Sequence, residues 1–102
     1  MITKEEFKLR LAEVKDVRII LDLIKELAIY EKMADRVIAT EEVLKESLFE
    51  RKVAEVLIAE LDGVPIGYAM YFYNFSSFIG KPAIYLEDLF IRPEYRGRGF
   101  GK

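Results

Sequence analysis

Along the first third of the chain the apolar positions Val17, Ile20, Leu21, Ile24, Leu27 and Ala28 recur at intervals of 3, 1, 3, 3 and 1. That is the stripe of an amphipathic helix, and it predicts one over about Lys15 to Lys32, with Asp16 near the positive end of its dipole. Ahead of it, Phe7 to Leu11 alternates apolar and basic residues, the pattern of a short half-buried strand. Thr40 is placed to cap a second helix: Glu41 and Glu42 would then lie in the first turn, Val43, Leu44 and Leu48 on the inner face, and the end near Glu50.

From Val53 the period drops to two. Val53 to Leu61 and Val64 to Asn74 are rich in β-branched and aromatic residues, and Asp62-Gly63 between them supplies the positive φ angles of a tight hairpin turn. Ala83 to Ile91 reads as a further, buried strand, apolar except for Glu87 and Asp88, and Pro93 stops it. The tail, Arg96 to Lys102, carries Gly97, Gly99 and Gly101. The order is β-α-α-β-β-β followed by a Gly-rich loop, an α+β arrangement. A chain of 102 residues makes one domain, residues 1–102, burying roughly 65% of its unfolded surface.

Composition narrows the chemistry. With no Cys and no His, disulfides, a thiolate nucleophile, a Ser-His-Asp triad and an ordinary zinc site are excluded, and no metal is expected. Proton transfer falls to Asp, Glu, Lys, Tyr or water. Sixteen basic and eighteen acidic residues leave a net charge of −2, with the signs interspersed. That disfavours a nucleic-acid surface, which needs a cationic surplus. The longest uncharged stretch, Val64 to Gly80, is broken by Pro65, Gly67 and Asn74, so no membrane span is expected. Residues Met1 to Arg10 mix both charge signs without an apolar core, unlike a signal peptide, which makes the cytoplasm the default compartment.

In Arg96-Gly97-Arg98-Gly99-Phe100-Gly101 the glycines let backbone N–H groups approach an anion, and the arginines add charge. Read alone, the segment is equally a flexible basic tail. A Walker A loop needs Gly where Arg96 stands, and the dinucleotide fingerprint needs a different glycine spacing, which opposes a nucleotide binder of either kind. Taken with the preceding strand, however, Tyr85 to Gly101 closely resembles the acetyl-CoA-binding motif of the GNAT N-acetyltransferase superfamily, in its diamine (spermidine/spermine) and thialysine branch. Leu23 to Glu31, Gly67 to Tyr71 and Phe78 to Lys81 carry the same resemblance. The implied fold is the N-terminal part of the GNAT architecture, a mixed and mainly antiparallel sheet with two N-terminal helices. The family's later elements, including the helix after the loop, do not follow, so the chain is expected to be a fragment with little or no turnover.

The resemblance implies a role for particular residues. Arg96, Gly97, Arg98, Gly99 and Gly101 match the pyrophosphate loop, and Leu89 and Ile91 match strand positions whose main chain pairs with the pantetheine arm. Glu31, Glu87 and Asp88 match acidic positions that hold or deprotonate a cationic amine, with Tyr30 and Phe78 at the same pocket. Phe78 stands where the polyamine enzymes carry Trp, and Ser76 where they carry an acid. The substrates implied are acetyl-CoA and a primary amine, and the partner a second copy of the chain in a homodimer.

The acidic residues can also be weighed by their chemistry. An alkylammonium has a pKa near ~10 and must lose a proton before attacking a thioester, so a carboxylate has to hold it and pass the proton on. Neighbours on a regular strand face opposite ways, and Glu87 and Asp88 can serve one substrate only if a bulge intervenes, as it does in the resembled family. Without one, Asp88 reads as a structural hydrogen-bond acceptor and Glu87 as solvated; Glu31 by itself reads as a solvated helix end. The aromatic run from Tyr68 to Phe78 divides between two faces of a strand, as core and interface rather than as a base-stacking platform. Two functions therefore stand: an N-acetyltransferase attacking in a ternary complex without a covalent acyl-enzyme, and a non-catalytic module that self-associates through its exposed last strand.

Overall fold

The computed structural model describes residues 6–96. Four strands, β1 (Phe7–Leu11), β2 (Glu55–Leu61), β3 (Val64–Ser76) and β4 (Lys81–Ile91), form one sheet in the order β1-β2-β3-β4. All three pairings are antiparallel. Helix α1 (Val17–Tyr30) and the short α2 (Glu41–Lys45) lie between β1 and β2 in the chain, as the sequence order predicts.

The apolar stripe of α1 buries Val17, Ile20, Leu21, Leu23 and Ala28. Of these, Val17, Ile20, Leu21 and Leu23 pack with Leu44 and Leu48 from the second helical segment against Val56, Ile58, Tyr68 and Phe90 on one face of the sheet. Burying a side chain such as Ile20 or Leu23 contributes about 2 kcal/mol, which makes this layer the main reason the helix forms. A smaller cluster joins Ala59, Leu61 and Ile66 to Phe7, Ile91 and Tyr95.

The boundaries differ from the expected ones for local reasons. Helix α1 begins at Val17 rather than Lys15 because Val14–Asp16 is a tighter 3₁₀ turn. There Asp16 accepts from the Glu13 N–H at 2.7 Å, and its two oxygens take the Arg10 guanidinium at 2.7 and 2.9 Å. The helix ends at Tyr30 because Lys32 adopts φ +59, so that Lys32 N–H reaches the Ile29 carbonyl at 3.0 Å and Met33 N–H the Ala28 carbonyl at 2.7 Å. This closure is usually made with glycine in the left-handed position. Thr40 caps α2 as expected, its Oγ1 accepting from Val43 N–H at 3.2 Å. Past α2 the coil widens into a π turn over Glu46–Glu50.

Asp62 and Gly63 both take positive φ, 53 and 82, closing the β2–β3 hairpin as their types predict. Strand β4 departs most from expectation. It starts at Lys81 instead of Ala83 and is exposed over most of its length rather than buried. The cause is the short partner strand: β2 begins at Glu55, opposite Tyr71, so beyond Tyr71 only β3 and β4 continue, as a two-stranded arm. No described helix is long and apolar enough to cross a membrane.

Candidate functional site

The site is built where β3 and β4 lose register. Met70 lies opposite Asp88 and Tyr71 opposite Leu86, which leaves Glu87 as one extra residue in β4. A bulge of this kind cancels the alternation of side chains, so Glu87 and Asp88 turn to the same face of the sheet, the face on which α1 packs.

Beneath them lies Tyr68, 1% exposed. Its hydroxyl donates to Asp88 Oδ2 at 2.9 Å. Burial first, then the charge and hydrogen bond of Asp88, and then the charges of Glu31 and Glu87 push the phenol far above its ordinary range. Asp88 is thus in contact with this buried hydroxyl, while the charges of Glu31, at the C-terminal cap of α1, and of Glu87 act on it without a hydrogen bond. Asp88 is half-buried, whereas Glu31 and Glu87 are exposed and free to meet a solute. Such a group of negative charges around a single point suits a cation, and a mobile carboxylate beside a fixed one suits holding it and taking its proton.

The other anticipated residues fall at the outer edge of β4. Arg92 N–H donates inward to the Ile66 carbonyl at 2.7 Å. By the alternation of an antiparallel ladder, the main-chain groups of Leu89 and Ile91 then point outward, away from β3. The Ile91 carbonyl is met there by Arg96 Nε at 2.7 Å. The Arg96 guanidinium also lies 4.3 Å from the Tyr30 ring centroid and 5.4 Å from that of Phe90. Tyr30 is thus a stacking partner of Arg96 as well as the neighbour of Glu31.

Phe78 lies apart from these residues. It stands 99% exposed at the tip of the arm, and six strand residues at ~3.3 Å each put it roughly 20 Å from the bulge. One chain does not bring Phe78 to the carboxylates. Gly97, Arg98, Gly99 and Gly101 lie outside the described residues.

Sequence reasoning passed over Tyr68, which it counted only within the aromatic run. Its hydroxyl in an otherwise apolar inward position, two residues from the Met70 that faces the bulge, was the available signal.

A profile described as the acetyltransferase (GNAT) family matches residues 20–102. The thialysine N-epsilon-acetyltransferase of Bos taurus is 40% identical over 102 residues, covering 91% of this chain and 59% of that protein. The spermidine/spermine N(1)-acetyltransferase-like protein 1 of Homo sapiens is 35% identical, covering 93% of this chain and 15% of that protein. Among solved structures, a predicted acetyltransferase with acetyl-CoA from Clostridium acetobutylicum superposes with a TM-score of 0.75 at 19% identity, covering 92% of this chain and 65% of that one. The chain thus spans about three fifths of its bovine relative, 59%.

Proposed function

The chain belongs to the GNAT acetyltransferase family, and from that premise we propose that it serves transfer of acetyl from acetyl-CoA to a primary amine of a thialysine-, diamine- or polyamine-like substrate. The observation that carries this reading is the β4 bulge, which leaves Glu87 unpaired in the ladder beside Asp88, itself held by the Tyr68 hydroxyl.

Acetyl-CoA supplies an activated acetyl thioester. The outward main-chain groups of Leu89 and the outward N–H of Ile91, whose carbonyl is held by Arg96, fit an extended, amide-bearing ligand laid along the sheet edge. The glycines at 97, 99 and 101 are the residue type that lets backbone N–H groups reach a diphosphate. The carboxylates act on the other substrate. Asp88, held by Tyr68, fixes the ammonium group, Glu31 screens its charge from the α1 side, and Glu87, exposed and without a fixed partner of its own in the ladder, takes the proton.

The test is to titrate CoA into the protein calorimetrically and to assay acetylation of thialysine, lysine and spermidine by the unaltered chain and by Glu87→Gln and Asp88→Asn. Glu87→Gln is expected to lower kcat and Asp88→Asn to raise KM for the amine. Since the chain by itself is expected to turn over slowly or not at all, the amines are titrated calorimetrically as well; failure to bind CoA, or equal affinity of both variants and the parent for every amine, would overturn the reading.

The exposed arm favours a second element of the same proposal, a homodimer. Tyr73, Phe75, Ile84 and Leu86 are all more than half exposed on a two-stranded arm that is marginal by itself in water. A second copy burying the same surface would support it.

A further inference from the structure

We propose that Arg92 and Glu26 form a positioning pair that sets the end of β4, and so the entry to the Gly-rich segment, at a fixed place on α1. The inference rests on the acetyl-CoA reading above and names two residues to which the resemblance gives no role.

Arg92 is the first residue after β4. Its backbone N–H donates to the Ile66 carbonyl at 2.7 Å, and its Nη1 to the Pro65 carbonyl at 3.0 Å. The rest of the guanidinium forks onto Glu26 of α1: Nε reaches the two carboxylate oxygens at 3.0 and 3.2 Å, and Nη2 reaches Oε2 at 2.8 Å. One side chain therefore joins the start of β3, the end of β4 and the middle of α1. Planar two-pronged contact of this kind fixes direction as well as distance. The Glu26 carboxylate also raises the Arg92 guanidinium above its already high range, so Arg92 is charged at every working pH.

The contact is repeated one helical turn later. Pro93–Tyr95 makes a single 3₁₀ turn, and Arg96, four residues after Arg92, lies 4.3 Å over Tyr30, four residues after Glu26. Residues four apart share one face of a helix, so two arginines leaving β4 meet two stations on the same face of α1. The side chains of Arg92 and Glu26 are 23% and 36% exposed, and an ion pair this close to solvent contributes little to stability. Its effect is on placement. Tyr30 and Glu31 at the end of α1 belong to the amine side, Ile91 to the thioester side, and the Arg92–Glu26 fork fixes the distance between them.

The experiment compares CoA binding by calorimetry, melting temperature, and KM and kcat for acetyl-CoA in the unaltered chain, Arg92→Met, Arg92→Lys, Glu26→Gln and the exchange Glu26→Arg with Arg92→Glu. Arg92→Met and Glu26→Gln are expected to weaken CoA binding about tenfold, the size of one lost charge-assisted contact, with KM rising more than kcat falls. Arg92→Lys keeps the charge without the fork and is expected to recover only part of the affinity, and the exchange variant to bind CoA more tightly than Glu26→Arg or Arg92→Glu alone, measured beside it. If Arg92→Met and Glu26→Gln stay folded and bind CoA as tightly as the parent, the pair has no positioning role while the acetyl-CoA reading stands. If the parent itself binds no CoA, both fall together. Should Arg92→Met fail to fold, the milder Glu26→Gln decides.

Discussion

The hydroxyl of Tyr68, buried in the main core, donates to Oδ2 of Asp88 at 2.9 Å across the β3–β4 ladder. The bond gives a half-buried carboxylate one fixed oxygen. Tyr68→Phe keeps the ring packing and is expected to cost about 1 kcal/mol in urea denaturation. Asp88→Ala strands the phenol without its acceptor and is expected to cost more, about 2 kcal/mol. The double variant should cost less than the sum of the two, and simple additivity would show that the bond carries no coupling energy.

Asp16 governs the response to acid. The Arg10 hydrogen bonds, followed by the Glu13 N–H, hold its carboxyl below the ordinary 3.8, against the opposing effect of burial. A folded-state value below the unfolded one means the contribution is fully present above about pH 4 and is lost as pH falls through the lowered value. Asp16→Asn is expected to destabilise the protein by about 2 kcal/mol at neutral pH. The loss should shrink on acidification, since the parent then gives up the same interaction. Denaturation curves at pH 7 and at about pH 3 check this; a deficit that stays constant would refute it.

Gly67 lies where β3 passes closest to β4. A Cβ there would collide with the Phe90 carbonyl oxygen and lie 3.0 Å from the Ile91 Cα, both backbone atoms that cannot swing aside. Gly67→Ala is expected to destabilise the fold by about 3 kcal/mol and to disturb the Ile91 edge. A melting temperature equal to the parent's would contradict it.

The arm is where self-association should be sensitive. Phe75, 68% exposed, faces away from the main core, so Phe75→Lys is expected to leave the melting temperature nearly unchanged while shifting sedimentation toward monomer. A parent that sediments as a monomer at high concentration would remove the basis for the homodimer.

Much of the fold is legible in local chemistry. The stripe of α1, the Thr40 cap and the Asp62-Gly63 turn are each decided within a few residues, and each forms as its residue types dictate. The exposure of β4 is not local. Its apolar run reads as buried, but whether a strand is covered depends on how far its neighbours extend, and β2 stops at Glu55. The candidate site is legible to the same degree: Glu87 and Asp88 stand out as charges in an apolar strand, while the Tyr68 hydroxyl and the Glu26–Arg92 fork depend on contacts 20 and 66 residues apart. Lys32 in a position that favours glycine gives no compositional sign of the α1 terminus.

The unpaired Glu87 is a spacer that the arm does not need for its pairing. Deleting that one residue would let Asp88 run straight into Leu86 with every partner from Lys81 to Leu86 unchanged, Met70 still opposite Asp88 and Tyr71 opposite Leu86. The Phe72–Tyr85 ring contact, 5.0 Å between centroids, would persist, and the apolar outline of the arm with it. The deletion therefore removes the carboxylate together with the local kink of the strand, whereas Glu87→Gln removes the charge and leaves the kink.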